Sequence, residues 1–205
     1  MKQESASKLK LLDTAIDMIW ASSYGSVSVD DICAKAGVNK GSFYYFFKSK
    51  SDLAVAAFDR HWEMKRPLLD SIFSPQVPPL ERLDRYCRVI IDDQKQKYQL
   101  FGKMLGCPFC SVGSELGTQD EKIRLKMEQI FARQIKYAES LVRDLVAEGL
   151  VQSSNPRELA EEMLSYVTGV LMQAKIENSV SHVERIEHGI RRLLGLKQLP
   201  VAAAA

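Results

Sequence analysis

Two stretches of this chain carry side chains whose types and spacing could do chemistry. The first is Cys107-Pro-Phe-Cys110. Two thiols three residues apart, with proline between them, form the pattern of a dithiol that exchanges with disulfides, provided a helix N-terminus lowers the pKa of the first. The second runs from Ser28 to Lys50. Between Ile32 and Ser51 it holds Lys35, Lys40, Lys48 and Lys50 and no acid, with Asn39, Ser42, Tyr44 and Tyr45 interleaved. Cationic and hydrogen-bonding groups gathered on one short segment suit the phosphates and base edges of nucleic acid.

Other chemistry is absent by inspection. The sequence contains no G-x-x-x-x-G-K-[ST], G-x-S-x-G, H-E-x-x-H or EF-hand loop. The carboxylate pairs Asp92-Asp93 and Glu161-Glu162 fall in polar helical stretches and read as solvated faces. Cys33, Cys87, Cys107 and Cys110 lack the spacing of a disulfide framework or a zinc site, and His61, His182 and His188 do not cluster with them. No metal and no cofactor is therefore expected. Around Cys107 the flanking segments are helical, without the strand-and-helix alternation of a thioredoxin-like fold, which disfavours an enzyme. Two accounts of the pair stay open: small apolar residues in a tight bend, or a regulatory thiol whose oxidation or alkylation reshapes the sixth helix.

The composition fits a globular protein. Of 205 residues, 46% are hydrophobic and 26% charged, near the average for soluble domains, and the net charge is +2. No apolar run reaches the roughly 18–20 residues of a membrane span. The N-terminus, Met1-Lys-Gln-Glu-Ser-Ala-Ser-Lys, lacks the apolar core of a secretory signal. A cytoplasmic protein that does not associate with membranes is the expectation.

The elements that must position these residues are helical, because a period near 3.6 dominates and strand alternation is scarce. The spacing predicts a first helix over 7–24, with Gly25 as its left-handed cap. A second covers 29–36 behind Ser28, with Asp31 in the place of a capping-box acid. Gly37-Val38 makes a tight turn, and a third helix covers 40–46 behind Asn39. The fourth starts after Ser49 and is expected to end or kink at Pro67. Ser74 to Pro79 is a loop before a fifth helix over 80–97. Residues 98–116, with several glycines and Pro108, are expected to be irregular. A long helix over 120–148, roughly 43 Å at 1.5 Å per residue, precedes Gly149. Asn155-Pro-Arg-Glu158 starts the eighth helix, to about 178, and Ser181-His-Val-Glu184 is a capping box opening the last, to about 194. The reading is all-α, with about nine helices.

Two short helices joined by a turn containing glycine form a helix-turn-helix. Ile32, Val38, Phe43 and Phe47 are spaced to pack the pair inward. Asn39, Lys40, Ser42, Tyr44 and Tyr45 are left outward at the N-terminal end of the third helix, the end that a recognition helix presents to the major groove. Gly41 leaves the backbone bare there, and Ser28 and Lys50 stand at helix N-termini, which favour a phosphate. Periodicity alone leaves a second reading open, an aromatic-rich surface helix with ordinary solvated lysines.

The run Val29-Asp-Asp-Ile32-Cys-Ala-Lys-Ala36-Gly-Val-Asn-Lys40-Gly-Ser-Phe-Tyr-Tyr45-Phe-Phe-Lys-Ser-Lys50-Ser-Asp-Leu53 resembles the DNA-binding segment of TetR/AcrR-family repressors. Their pattern reads T-hydrophobic-x-x-I-A-x-x-A-G-V-S-x-G-T-hydrophobic-Y-x-x-F-x-x-K-x-x-L. Ser28 stands for the usual Thr, Cys33 for Ala, Asn39 for Ser or Thr, and Ser42 for Thr. The first and third of these keep a capping oxygen. Ala147-Glu-Gly-Leu150, Asn155-Pro-Arg-Glu-Leu-Ala160 and Gly169 extend the likeness to the junction of the seventh and eighth helices.

The resemblance implies a three-helix DNA-binding domain over 1–52 and a helical effector-binding and dimerisation domain over 53–200, with 201–205 a disordered tail. It implies Ser28, Tyr45 and Lys50 on phosphates, and Asn39, Lys40, Gly41, Ser42 and Tyr44 in the groove. It further implies double-stranded operator DNA as partner, a homodimer through the last two helices, and release by a small-molecule effector. Effector-lining candidates are Trp62, Phe101, Met104, Cys107, Phe109, Phe131 and Tyr166, and Cys107 with Cys110 is the candidate redox or electrophile sensor. An activator or nucleoid-type binder with the same head, and a dithiol oxidoreductase, are the rivals.

Overall fold

The computed structural model describes residues 5–197. Among these, nine α-helices follow in order, with one 3₁₀ segment before the last and no strand. The tail expected at 201–205 lies outside the described residues.

Helix α1 (Ala6–Ala21) turns Leu11, Leu12, Ala15, Ile16, Ile19 and Trp20 inward. It stops at Ser22, and Gly25 is not its left-handed cap, for its φ is not positive. What Gly25 supplies is close approach: a Cβ there would lie 2.9 Å from a carboxylate oxygen of Glu115. Helices α2 (Val29–Ala36) and α3 (Lys40–Phe46) match the expected bounds.

Helix α4 (Lys50–Ile72) runs through Pro67 and does not end there. Proline removes the N–H that would bond the carbonyl of Glu63. Both residues are exposed, so water can take the orphaned acceptor. Helix α5 (Pro79–Phe101) outlasts its expected end by a turn and closes on Gly102. The stretch expected to be irregular is so only over 102–107. From there Pro108 opens α6 (Pro108–Leu116), since a proline at the first helical position needs no donor.

Helix α7 (Glu121–Ala147) is followed by Gly149 at φ 71°. Helix α8 (Pro156–Glu177) is capped by Asn155, whose side chain accepts from the Glu158 amide at 3.3 Å. The capping box expected at Ser181 does not form. Ser179 accepts from the Ser181 amide, and Glu184 turns to Lys95 at 2.7 Å. Residues Val180–Arg185 therefore wind as a 3₁₀ segment, and α9 covers only Ile186–Leu193.

The described chain divides into two compact units. One holds the residues up to Pro67 together with Cys107–Phe131. Its core includes Leu11, Ile32, Phe43, Leu53, Phe58, Ile123 and Ile130, each without solvent exposure. Burying such a side chain contributes about 1.5–3 kcal/mol. Helix α1 packs on α2, α3 and α6 within this unit, and the Phe58 and Phe109 rings lie 5.8 Å apart.

The other unit holds Leu68–Gly106 and the described residues from Ala132 onward. Leu83, Leu141, Leu145, Met163, Ile186 and Ile190 form its interior. Two buried arginines are matched there. Arg82 pairs with Asp144 at 2.5 Å and donates to the Val77 carbonyl at 2.6 Å, and Arg191 pairs with Asp84 and with Glu187. Removing either acid set would strand a buried cation, a change that costs about 3–5 kcal/mol.

Candidate nucleic-acid interface

The two short helices are fixed by reciprocal caps. Ser28 Oγ accepts from the Asp31 amide at 3.1 Å, and the Asp31 carboxylate accepts from the Ser28 amide at 2.9 Å and from its hydroxyl at 2.6 Å. These bonds favour the ionised carboxylate and hold the Asp31 pKa below the ordinary value. Asp30 and Asp31 also oppose the positive end of the α2 dipole. At the far end Gly37 takes φ 64°, a left-handed conformation that glycine adopts without a Cβ clash. The chain then reverses, the Val38 amide bonds the Cys33 carbonyl at 3.0 Å, and Asn39 caps α3 by accepting from the Ser42 amide at 2.7 Å.

Packing sorts the remaining side chains. Ile32 and Phe43 are fully buried, and Cys33 and Phe47 nearly so. Asn39, Lys40, Gly41, Tyr44 and Tyr45 are exposed, the two tyrosines by 59% and 83%, and Ser42 is half-buried. So large an exposure of two aromatic rings on one short helix leaves them free to meet another surface. Lys40 is braced against α2 by an ion pair with Asp30 at 2.6 Å, which raises its pKa.

Ser28 stays exposed at the N-terminus of α2. Lys50 is placed differently. Half-buried at the start of α4, its ammonium donates to the Tyr24 carbonyl and stacks over the Tyr24 ring, 3.9 Å from the centroid. Burial draws its pKa down, while the nearby Glu115 and Asp31 carboxylates oppose that shift.

Sequence reasoning missed Glu115. From α6 its carboxylate accepts from the Gly25 amide at 2.7 Å and from the Tyr24 amide at 3.1 Å, and so clamps the loop that leads into α2. The ion pairs Lys122–Asp52 at 2.6 Å and Lys126–Asp59 at 2.7 Å tie the start of α7 to α4 in the same unit. No periodic signal marks such contacts, because their partners lie some 70 to 90 residues apart.

The effector candidates fall in both units. Trp62 is buried in the first, where Phe109 is also buried and Cys107 and Phe131 are half-buried. In the second unit Met104 is buried, Phe101 is 53% exposed, and Tyr166 donates to the Arg185 carbonyl at 3.4 Å. That unit contains a cavity of about 60 Å³ lined by Phe73, Tyr86, Gln134, Tyr137 and Leu164, residues that the sequence did not single out. Phe73 lies 5.3 Å from each of the two tyrosine rings, and the Tyr137 hydroxyl bonds Asp70.

Cys107 is the N-cap of α6, and its side chain makes no capping hydrogen bond. The nearby Cys110 and Phe109 amides favour the thiolate. A side-chain hydrogen bond with Cys110 and burial outweigh them, and the Cys107 thiol stands well above its ordinary value. Among the described residues no cluster of three metal-ligating side chains occurs, and no helix is long and apolar enough to cross a membrane.

Residues 11–57 match the profile of bacterial regulatory proteins of the tetR family, and residues 79–190 that of the tetracyclin repressor-like C-terminal domain. An HTH-type transcriptional regulator from the lacX 3' region of Lactococcus lactis is 30% identical over 180 residues, which span 87% of this chain and 88% of that one. The transcriptional regulator AcuR of Cereibacter sphaeroides is 27% identical over 84% of this chain and 78% of its own. The crystal structure of the regulatory protein TetR from Rhodobacter sphaeroides superposes with a TM-score of 0.81 at 25% identity, covering 92% of this chain and 99% of that one. With its helix-turn-helix and its helical C-terminal domain both matched, the chain belongs to the tetR family of DNA-binding transcriptional regulators.

Proposed function

We propose that this chain is a repressor that leaves its operator when a small molecule binds. Residues 1–52 carry the operator reader, and residues 53–200 the effector site and the dimer surface, with the last two helices pairing across a two-fold axis. A dimer places two readers on half-sites about 34–36 Å apart. Ser28, Asn39, Lys40, Gly41, Ser42, Tyr44 and Tyr45 meet the DNA, with Lys50 adding charge at the start of α4. The protein acts in the cytoplasm, where the operator lies, and it catalyses no reaction.

The observation that carries this reading is the sorting on α3. Its first two turns expose Asn39, Lys40, Tyr44 and Tyr45 while Phe43 anchors the helix with no exposure at all. A helix held by one face with hydrogen-bonding groups on the other is suited to reading base edges. The match to a tetracyclin repressor-like C-terminal domain supports repression and an effector.

The effector site is best sought at the aromatic cavity in the second unit. At about 60 Å³ it is far smaller than the roughly 300–1,000 Å³ of a small-molecule site. A ligand must therefore push Tyr86 and Tyr137 apart, and that displacement is the structural change the switch needs. A thiol-reactive effector would act instead at Cys107 and Cys110, at the head of the helix whose other end carries Glu115.

The test is binding to duplex DNA at two salt concentrations, with wild type and Tyr44→Ala. Salt-sensitive binding is expected for both. The variant should lose preference for the operator over random duplex and keep its melting temperature. Absence of salt-sensitive binding to any duplex overturns the reading.

A further inference from the structure

The outward side of α8 carries one stripe at the three-and-four spacing of a single helix face: Glu158, Glu162, Tyr166, Gly169, Gln173 and Ile176. All but Tyr166 are exposed, Ile176 by 75%, and a Cβ built on Gly169 would meet nothing within 4 Å. Beside the stripe, an open cavity of about 550 Å³ lies between α8 and the segment that includes α9. Its lining includes His182, Arg185, His188 and Arg192 and no carboxylate.

Tyr166 joins the two features. Its hydroxyl reaches the Arg185 carbonyl, and a Cβ on Gly189 would meet that hydroxyl at 1.8 Å, so only glycine lets the ring lie against α9. On the cavity side His182 is already paired with Glu177 at 2.7 Å, a carboxylate that Arg185 also faces, which leaves Arg192 and His188 as the unmatched cations. Arg185 bonds the neutral-capable ring of His182, and among the described residues Arg192, His188 and Glu162 have no ion-pair partner. Glu158 touches Asn155 alone.

A two-fold contact brings one patch against its own copy, so every acid must find a base on the same patch. The cation-lined cavity alone would repel a second copy, and so would the acidic end of the stripe. Together they complement each other. We propose that the cavity is filled by a second copy of this chain, whose Glu162, with Glu158 beside it, pairs with Arg185 and Arg192, while the reciprocal pairing forms on the other subunit. This rests on the reading of the last two helices as the dimer surface and adds what fixes the register and selects the partner.

The experiment is sedimentation equilibrium of the full chain with two variants, Glu162→Lys and the double variant Arg185→Glu/Arg192→Glu. Each alone should raise the dimer dissociation constant at least about tenfold, because the two-fold repeats each repulsion. Mixed in equal amounts they should recover a heterodimer of near wild-type affinity, since the introduced lysine then meets the introduced acids and the native arginines meet the native Glu162. Should a reversal disturb folding, as circular dichroism would report, the neutral Glu162→Gln and Arg192→Gln carry the test and should each weaken the dimer by a smaller factor.

A wild type that stays monomeric at micromolar concentration overturns the pairing and the dimer reading together. A dimeric wild type whose variants dimerise equally well, or a mixture that fails to associate, overturns the pairing and leaves the dimer reading standing. Citrate that raises the melting temperature of wild type but not of the double variant, with dimerisation untouched in both, assigns the cavity to a free anion and also overturns the pairing.

Discussion

Replacing Glu115 by alanine tests whether α6 holds the loop ahead of the reader. The carboxylate accepts from two backbone amides, Gly25 at 2.7 Å and Tyr24 at 3.1 Å. A hydrogen bond to a charged group contributes about 1.5–3 kcal/mol net. Glu115 is half-buried and Gly25 exposed, so the low end of that range applies and the Gly25 amide regains water. The two bonds together then stabilise the unit by about 2–3 kcal/mol. Glu115→Gln keeps one acceptor oxygen without the charge and should lose about half as much. Gly25→Ala attacks the same contact from the other side, since its Cβ would fall 2.9 Å from the carboxylate.

Urea unfolding followed by tryptophan fluorescence suits the measurement. The chain has two tryptophans, Trp20 and Trp62, both buried in the unit that contains the clamp. The shift in midpoint multiplied by the slope gives the loss directly. A loss for Glu115→Ala below about 0.5 kcal/mol, the scatter of ordinary surface substitutions, would refute the clamp. A loss for Glu115→Gln as large as that for alanine would show that the charge alone, and not the shape that glutamine keeps, carries the contact.

Lys50→Ala should weaken binding to every duplex and reduce the slope of log affinity against log salt by about one. An unchanged slope with a lower melting temperature would leave Lys50 as a strut for Tyr24 alone. Asp31 titrates below its ordinary value in the folded chain, so the stability it contributes is present above about pH 4 and is lost as pH falls through its folded pKa. Asp31→Asn should therefore flatten the acid limb of stability against pH, and an unaltered limb would contradict the capping geometry. Cys87, pushed up to about 12 by burial, and Cys107, held well above 9.0, keep their protons at neutral pH. Iodoacetamide followed by mass spectrometry should label both more slowly than the urea-unfolded chain, with rates that climb as pH rises. Labelling of native Cys107 at the unfolded rate would favour the regulatory thiol over small apolar residues in a tight bend as the account of that pair.

Helix positions were legible where a cap and a periodic face agree. Ser28 with Asp31, Asn39, and Asn155 with Pro156 each mark a start at the observed place. Errors came where one residue type serves opposite ends. Proline breaks a ladder in mid-helix but opens α6 at Pro108, and an exposed helix carries it at Pro67 without stopping. Ser181 and Glu184 fit a capping box in one dimension, yet a neighbouring serine and a distant lysine offered better partners in three. The exposed face of α3 was visible because the inward set Ile32, Phe43 and Phe47 leaves its complement by subtraction. The clamp from Glu115 and the aromatic cavity around Phe73 were not, since each joins elements whose meeting no local spacing records.

The clamp also bears on how the chain is made. Gly25 and Glu115 stand 90 residues apart, and at roughly 5–20 residues per second the ribosome separates them by about 5–18 s. During that interval the reader has emerged without the carboxylate that steadies its leading loop and without Phe109 and Ile123 for its core. A nascent reader is therefore an unfinished one, and a message cut short before α6 yields a fragment poorly equipped to occupy DNA in place of the whole protein.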